Sequence, residues 1–276
     1  MALPDGKTLW IDSLSEKDVQ GMVQSHFHDY YEIYYLIDGK RRYFINHTLY
    51  DVSPNDVILV NKGDIHLSQP ASEAHSRSLI TFSDNFLDGL GKEFDREFLM
   101  KIFENKKIHI PESMQNTFNL LLRKAETKIK QNDMYSQYVA KLNVLELLVD
   151  MNKFVTQNTY PLMDDLTIYE DRIQEVCRYI CNYYNKPISL NEMAKIAYMS
   201  PTYFSKKFKR VTGFGFNEYL NNVRIKMATN LLMETQLSIT EIATFCGYQD
   251  SNYFGDVFKK IIGISPNKYR KKHYII

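Results

Sequence analysis

The chain is predicted to be an α+β protein in two parts: a sheet-built N-terminal half with following helices, and an all-α C-terminal half. Three observations predict this. Residues from about 8 to 83 are short runs of β-formers separated by turn signals. The last ninety or so residues carry one helix-turn-helix pattern written twice, and a repeat fixes architecture before any single residue does. Charge divides the same way: residues 1–166 hold 18 Lys and Arg against 24 Asp and Glu, and residues 167–276 hold 16 against 9. With 276 residues and 44% hydrophobic content, the chain can fill two cores, expected at 1–160 and 167–276.

Taken in order, the chain opens Met-Ala-Leu-Pro-Asp-Gly, with no basic stretch leading into an apolar one, so no secretion signal is expected. No run of 18 apolar residues suggests a membrane span, and the expected location is the cytoplasm. Tyr31-Glu-Ile-Tyr-Tyr-Leu-Ile reads as a strand. Asp38-Gly39 signals a two-residue hairpin into Lys40-Arg-Arg-Tyr-Phe-Ile-Asn. Ser53-Pro-Asn-Asp leads into Val57-Ile-Leu-Val, and Lys62-Gly63-Asp makes another turn. Many short antiparallel strands predict a sandwich or small barrel.

Helices follow. One starts at Ser83-Asp84, another at Pro111-Glu-Ser and runs to about 131, and a third covers about 134–156. The third carries Tyr138, Leu142, Leu145 and Val149 at 4-3-4 spacing, a short seam of the kind that joins two helices. Packing onto the chain's own sheet is the other use of such a stripe. Asn158 to Leu166, with Pro161 and Asp164-Asp165, reads as a linker, and Thr167 with Glu170 as the cap that opens the second domain. Its first core stripe is Ile173, Val176, Cys177, Ile180 and Tyr184. Cys177, Cys181 and Cys246 are expected to be reduced thiols in helix cores.

The first repeat runs Ser189-Leu-Asn-Glu192-Met-Ala194, Ser200-Pro-Thr-Tyr203-Phe204, Phe208-Lys209, Gly213. The second runs Ser238-Ile-Thr-Glu241-Ile-Ala243, Ser251-Asn-Tyr253-Phe254, Phe258-Lys259, Gly263. Paired positions lie 49 apart at the start and 50 at the end, so the second turn carries one extra residue. Ser189 with Glu192, and Ser238 with Glu241, spell capping boxes. Ser200 is an N-cap followed by Pro at N1, and Asp250 is expected to cap the matching helix. Phe204/Phe208 and Phe254/Phe258 are apolar anchors at i,i+4. Gly213 and Gly263 are stops of the left-handed type. Between the repeats, Phe216, Tyr219, Leu220, Val223, Met227, Ala228, Leu231 and Leu232 follow the helical period. A helix of that length spans roughly 25 Å, the order needed to hold two reading helices about one DNA turn, ~34 Å, apart.

These motifs resemble the AraC/XylS family of transcription regulators, over about 100 residues that also include Arg224, Gly247-Tyr248, Ser265-Pro266 and Tyr269-Arg270. The resemblance implies double-stranded DNA as partner, a homodimer joined at the Tyr138–Val149 seam, and RNA polymerase as a further partner. The basic balance of the second half suits that reading. With helices starting at Ser200 and Asp250, the outward positions are Thr202, Tyr203, Ser205, Lys206, Ser251, Asn252 and Asp256. Asn252 suits a bidentate contact to adenine, and Lys209, Arg210, Lys259 and Lys260 suit phosphate.

In the first half, Gly21-x4-His26-x-His28-x3-Glu32-x6-Gly39, then Gly63-x2-His66, resembles the two motifs of the cupin barrel, the usual sensor domain of sugar-type AraC regulators. The first spacer is one residue short, and Asn55, Asn61 and Pro70 stand where the cupin pattern prefers Gly, Pro and Asn. Strand parity puts His26, His28, Tyr30, Glu32, Tyr34 and Leu36 on one face if the strand is continuous. Folding back at Asp38-Gly39 pairs 34 with 43 and 36 with 41, adding Tyr43 and Arg41. So polar an interior implies a small polar ligand. The expected effector site is His26, His28, Glu32, Tyr34, Arg41, Tyr43 and His66, with Arg41 and Glu32 orienting a sugar or carboxylic acid and the tyrosines packing on it. His26, His28, Glu32 and His66 are also candidate ligands for a divalent metal, although a directly bound polar molecule, with no required cofactor, is the favoured expectation. The reading is a non-enzymatic, ligand-responsive regulator, an activator of carbohydrate-related genes. Two other readings stand beside it: a cupin metalloenzyme with a DNA-binding appendage, using His26, His28, Glu32 and His66, and a DNA-binding protein whose degenerate cupin only dimerises.

Overall fold

The computed structural model describes residues 3–4, 6–16, 26–72, 74–91, 94–131, 133–157 and 168–273. The expected linker at 158–166, the Thr167 cap with the Glu170 side chain, and Gly21 lie outside them. The chain divides into two compact units, one holding the sheets and the four helices that follow, the other holding the remaining helices.

The first unit is organised by β2 (Tyr31–Asp38), whose first six residues are all buried. A strand buried on both faces reads as a continuous apolar run rather than an alternating one, which is the character of Tyr31-Glu-Ile-Tyr-Tyr-Leu. It lies in a five-stranded antiparallel sheet with β1 (Leu9–Glu16), β5 (Asp56–Val60), β7 (His75–Phe82) and β8 (Lys107–His109), in the order β1-β7-β2-β5-β8. The other sheet has the order β4-β3-β6, from β3 (Arg41–Ile45), β4 (Thr48–Val52) and β6 (His66–Pro70). The strands are therefore two antiparallel sheets, not a closed barrel. Even positions of β2 join residues of both sheets in one core: Tyr34, Leu36, Tyr43, Ile45, Tyr50, Val52, Ile58, Val60 and Leu79. Odd positions Tyr31, Ile33 and Tyr35 join a second core with the helices.

Those helices are α1 (Asp84–Asp88), α2 (Arg96–Met100), α3 (Glu112–Gln131) and α4 (Met134–Gln157), with a 3-10 turn at Lys101–Glu104. The α3 and α4 bounds agree with the sequence reading. Phe118, Leu122 and Ala125 of α3 and Val144, Leu148 and Met151 of α4 are buried in the second core.

Two local expectations fail. The predicted hairpin between β2 and β3 does not form: β2 pairs with β5 and β7, and β3 pairs with β6. The ladder slips between Leu36 and Asp38. Gly39 then turns with φ +87°, so close to the backbone that a Cβ there would lie 2.4 Å from the Ala74 carbonyl oxygen. Only glycine fits this corner, where the chain leaves the first sheet for the second. The strand through His26 to Leu36 is not continuous either, since β2 starts at Tyr31 and His26 makes only an isolated bridge to His66.

The second unit contains α5 (Ile168–Tyr183), α6 (Leu190–Ile196), α7 (Pro201–Thr212), α8 (Phe216–Glu234), α9 (Ile239–Phe245), α10 (Ser251–Ile262) and α11 (Pro266–His273). Both capping boxes form, and Ser200 and Asp250 cap α7 and α10. Gly213 and Gly263 sit at φ +79° and +87°, where glycine avoids the Cβ penalty. Ile173, Val176, Cys177 and Ile180 form the buried stripe of α5. The 19 residues of α8 span about 28 Å. Among the described residues no helix is long and apolar enough to cross a membrane.

Candidate functional site

The interior between the sheets gathers the seven residues expected there. His26, His28 and His66 each bring a ring nitrogen within 4.8 Å of the others. Glu32, at the head of β2, lies 3.5 Å from His28 Nε2 through Oε2. His28 Nδ1 donates to the Tyr30 carbonyl and His66 Nδ1 to the Asp64 carbonyl, each at 2.9 Å. A carbonyl only accepts, so each Nδ1 carries a proton and the two Nε2 atoms are left for other partners. Those two Nε2 atoms are buried without a hydrogen-bond partner.

Protonation states agree with that pattern. Burial pushes the His66 imidazole down to about 4, against the pull of Glu32. Burial alone would raise the Glu32 carboxyl, yet the close approach of His28 and the other nearby imidazoles hold it at about 2. At neutral pH the cluster contains a neutral His66 and a carboxylate, which is the state in which such groups bind cations. Backbone carbonyls that fix the tautomer of a ligating histidine are the usual outer support of a metal site. The donor set therefore fits a divalent cation, although the sequence reading favours a direct polar ligand.

Beyond the imidazoles, β2 and β3 supply Tyr34, Tyr43 and Arg41. The two tyrosine rings pack at 4.9 Å. Burial raises the Tyr34 phenol to about 12 and also pushes the Tyr43 phenol well up, so both remain protonated. Arg41 donates through Nε and Nη2 to the Ser68 hydroxyl at 3.1 and 2.8 Å. Sequence reasoning missed Ser68 and Thr81. Ser68 shares strand parity with His66, so a signal for it existed. Thr81 stands opposite Glu32 in the ladder, a register that the sequence does not display. The eroded motif position Asn55 takes φ +70°, which Asn tolerates better than most residues; its side chain accepts from Tyr35 OH at 2.8 Å.

The outer faces of α7 and α10 form the other candidate site. Thr202, Tyr203, Lys206, Lys209 and Arg210 are exposed on α7, with Ser205 half-buried. Asn252, Asp256, Lys259 and Lys260 are exposed on α10, with Ser251 half-buried. Behind these faces the phenylalanine pairs are fully buried, at ring separations of 5.4 and 5.7 Å. Sequence reasoning matched Arg224 without giving it a role. Its Nε donates to the Tyr184 carbonyl at 2.8 Å and its Nη2 to the Lys186 carbonyl at 3.0 Å, with the guanidinium over the Tyr248 ring. It ties α8 to the segment before α6 and to the turn of the second unit.

The expected dimer seam needs one correction. Tyr138 and Leu142 are about 60% exposed and Val149 is also exposed, but Leu145 is buried in the helix-side core. At 100° per residue Leu145 falls on the edge of the stripe nearest Leu148.

Two family models match the chain, an AraC-like ligand binding domain over residues 16–128 and a helix-turn-helix domain over residues 193–272. The chain belongs to the AraC family. An HTH-type transcriptional regulator of Staphylococcus aureus strain COL is 24% identical over 236 residues, covering 86% of this chain and 31% of that protein. Regulatory protein PocR of Salmonella typhimurium is 30% identical over 150 residues, half of each chain. The chain thus spans about a third to a half of the length of these relatives. Among solved structures, the C-terminal domain of AraT, a response regulator from Geobacillus stearothermophilus, is 32% identical, covering 41% of this chain and 92% of that one with a TM-score of 0.38.

Proposed function

We propose that the chain is a ligand-responsive, sequence-specific DNA-binding transcription regulator of the cytoplasm. The observation that carries the reading is the pair of capped helices, α7 and α10, each anchored by a buried phenylalanine pair and each presenting polar side chains outward. Asn252 reads a base, and Lys209, Arg210, Lys259 and Lys260 hold phosphate. The sheet interior is the sensor. Its effector is a small polar molecule, and the controlled genes are carbohydrate-related ones that the regulator activates with RNA polymerase. Mapping bound sites across the genome by chromatin immunoprecipitation tests this: enriched promoters are expected, and Asn252→Ala should lower their enrichment. A profile without enriched sites contradicts the reading.

His26, His28, His66 and Glu32 would hold a divalent cation, which would supply a Lewis-acidic contact to an effector oxygen. Elemental analysis of protein purified without a metal-affinity tag checks it. One metal per chain, lost in His28→Ala, is expected; metal-free protein that still binds effector contradicts it.

A homodimer through the exposed face of α4 completes the proposal. Leu142→Asp, on the surface, should give a monomer in analytical ultracentrifugation without loss of fold. An unchanged sedimentation profile moves the contact to α3.

A further inference from the structure

Arg41 is only 4% exposed and carries a charge that no environment in a protein removes. Two of its nitrogens share one neutral oxygen, Ser68 Oγ. Its third, Nη1, has no hydrogen-bond partner. Among the described residues no carboxylate lies within 4.0 Å of the guanidinium, while the other buried acids of this unit are engaged: Glu32 with His28, Asp56 with Lys107 and His109, Asp64 with Lys106. A buried charge left without a counter-charge is among the costliest arrangements a fold can keep.

The same interior holds two more buried hydroxyls without a hydrogen-bond partner, Tyr34 OH and Thr81 Oγ1. Both can donate, as Arg41 Nη1 must. Tyr34 brings a phenol O–H, which ordinarily keeps its proton at neutral pH, and Thr81 stands across the ladder from Glu32 on its interior face. The unmatched groups on the Arg41 side are thus rich in donors and positively charged. A neutral sugar would bring hydroxyls that need acceptors in turn and would leave the guanidinium charge uncompensated. A carboxylate brings acceptors only, neutralises the charge, and matches the planar fork of the guanidinium in two hydrogen bonds.

We propose that the effector of this sensor carries a carboxylate that binds Arg41, with Tyr34 and Thr81 as further donors. This rests on the sensor reading given above and narrows it from polar molecules to organic acids, sugar acids among them. Glu32 Oε1, a buried carboxylate oxygen without a partner, receives a hydroxyl from the other end of the ligand.

The experiment is calorimetric titration of the full chain with matched pairs that differ in the acid group: glucose against gluconate and glucuronate, and propane-1,2-diol against lactate. The acid member of at least one pair should bind about 10- to 100-fold more tightly than its neutral partner, the range of a charge-assisted bidentate contact. Arg41→Met should abolish that preference. Because the guanidinium has no counter-ion without ligand, the same variant should melt, unliganded, at or above the wild-type temperature. If Arg41→Met fails to fold, Arg41→Lys decides: it keeps the charge but loses the fork, and its preference should fall at least several-fold. Neutral compounds that bind as tightly as their acids, or an acid preference that survives substitution at position 41, would overturn the carboxylate. In that case, binding lost in Glu32→Gln still supports the sensor. No binding by either member of any pair overturns both.

Discussion

In the first helix-turn-helix unit the left-handed residue of the turn is Tyr198, at φ +55°; in the second it is Gly247, at φ +83°. The turns otherwise begin alike. Tyr198 and Gly247 each donate to the carbonyl three residues back, and Met199 and Tyr248 to the carbonyl five residues back. They then diverge, because the N-cap follows two residues after Tyr198 but three after Gly247. Tyr198 is 81% exposed. Gly247 is crowded, with a Cβ there placed 2.9 Å from the Asn185 carbonyl oxygen and 3.0 Å from Arg224 Nη2. Outer faces differ as well: α7 presents Ser205 and Lys206 where α10 presents Gly255 and Asp256. Caps and phenylalanine anchors are therefore the shared scaffold, while the turns and outer faces are where the two units differ. The first is open at its turn and basic on its face. The second is locked to the rest of the domain through Arg224 and is nearly neutral on its face.

Four changes test that contrast, beginning with the strongest. Phe204→Ala and Phe254→Ala each empty a fully buried anchor, so each should cost about 3–5 kcal/mol in denaturant unfolding. Losses that differ by more than a factor of two would show that the scaffolds are not equivalent. At the turns the units should part company. Gly247→Ala combines a positive φ with a backbone clash and should cost roughly 2–4 kcal/mol. Tyr198→Gly relieves the strained φ and should leave stability within about 1 kcal/mol of wild type. Similar thermal shifts for the two variants would refute the lock.

Readouts on DNA come next. Asn252→Ala should lose about 1–3 kcal/mol on the preferred site and little on random duplex, whereas Lys209→Ala should weaken both alike and reduce the salt slope by about 1. Equal losses on both DNAs for Asn252→Ala would remove base reading from α10. The smallest effect belongs to Gly255. It sits inside α10 with open space where a Cβ would stand, so packing does not demand glycine. Gly255→Ala should stabilise the fold by about 0.5–1 kcal/mol while weakening specific DNA binding, if DNA approaches the helix closely there. A variant that is more stable and binds unchanged places the DNA further away.

Much of this was legible in the sequence because it is local. A capping box needs only Ser and Glu three apart, and a helix stop needs only a glycine after the last apolar position. The clustering of the polar residues was legible through parity and motif spacing, although the route differed: His26 and His28 reach Glu32 across a break, not along one strand. The corner at Gly39 was not legible, because Asp-Gly spells a hairpin locally and the Ala74 backbone beside it lies far along the chain. Leu145 was misplaced for a related reason. A 4-3-4 stripe defines a helix face without saying which edge of it another element covers.

Two copies of one scaffold that read DNA in unequal steps should leave their mark on the duplexes the full chain selects from a random library. Two enriched blocks about one helical turn apart are expected, one of which contains an adenine that Asn252→Ala no longer selects while the other block persists. A single enriched block, or a profile that Asn252→Ala leaves unchanged, would contradict unequal reading by the two copies.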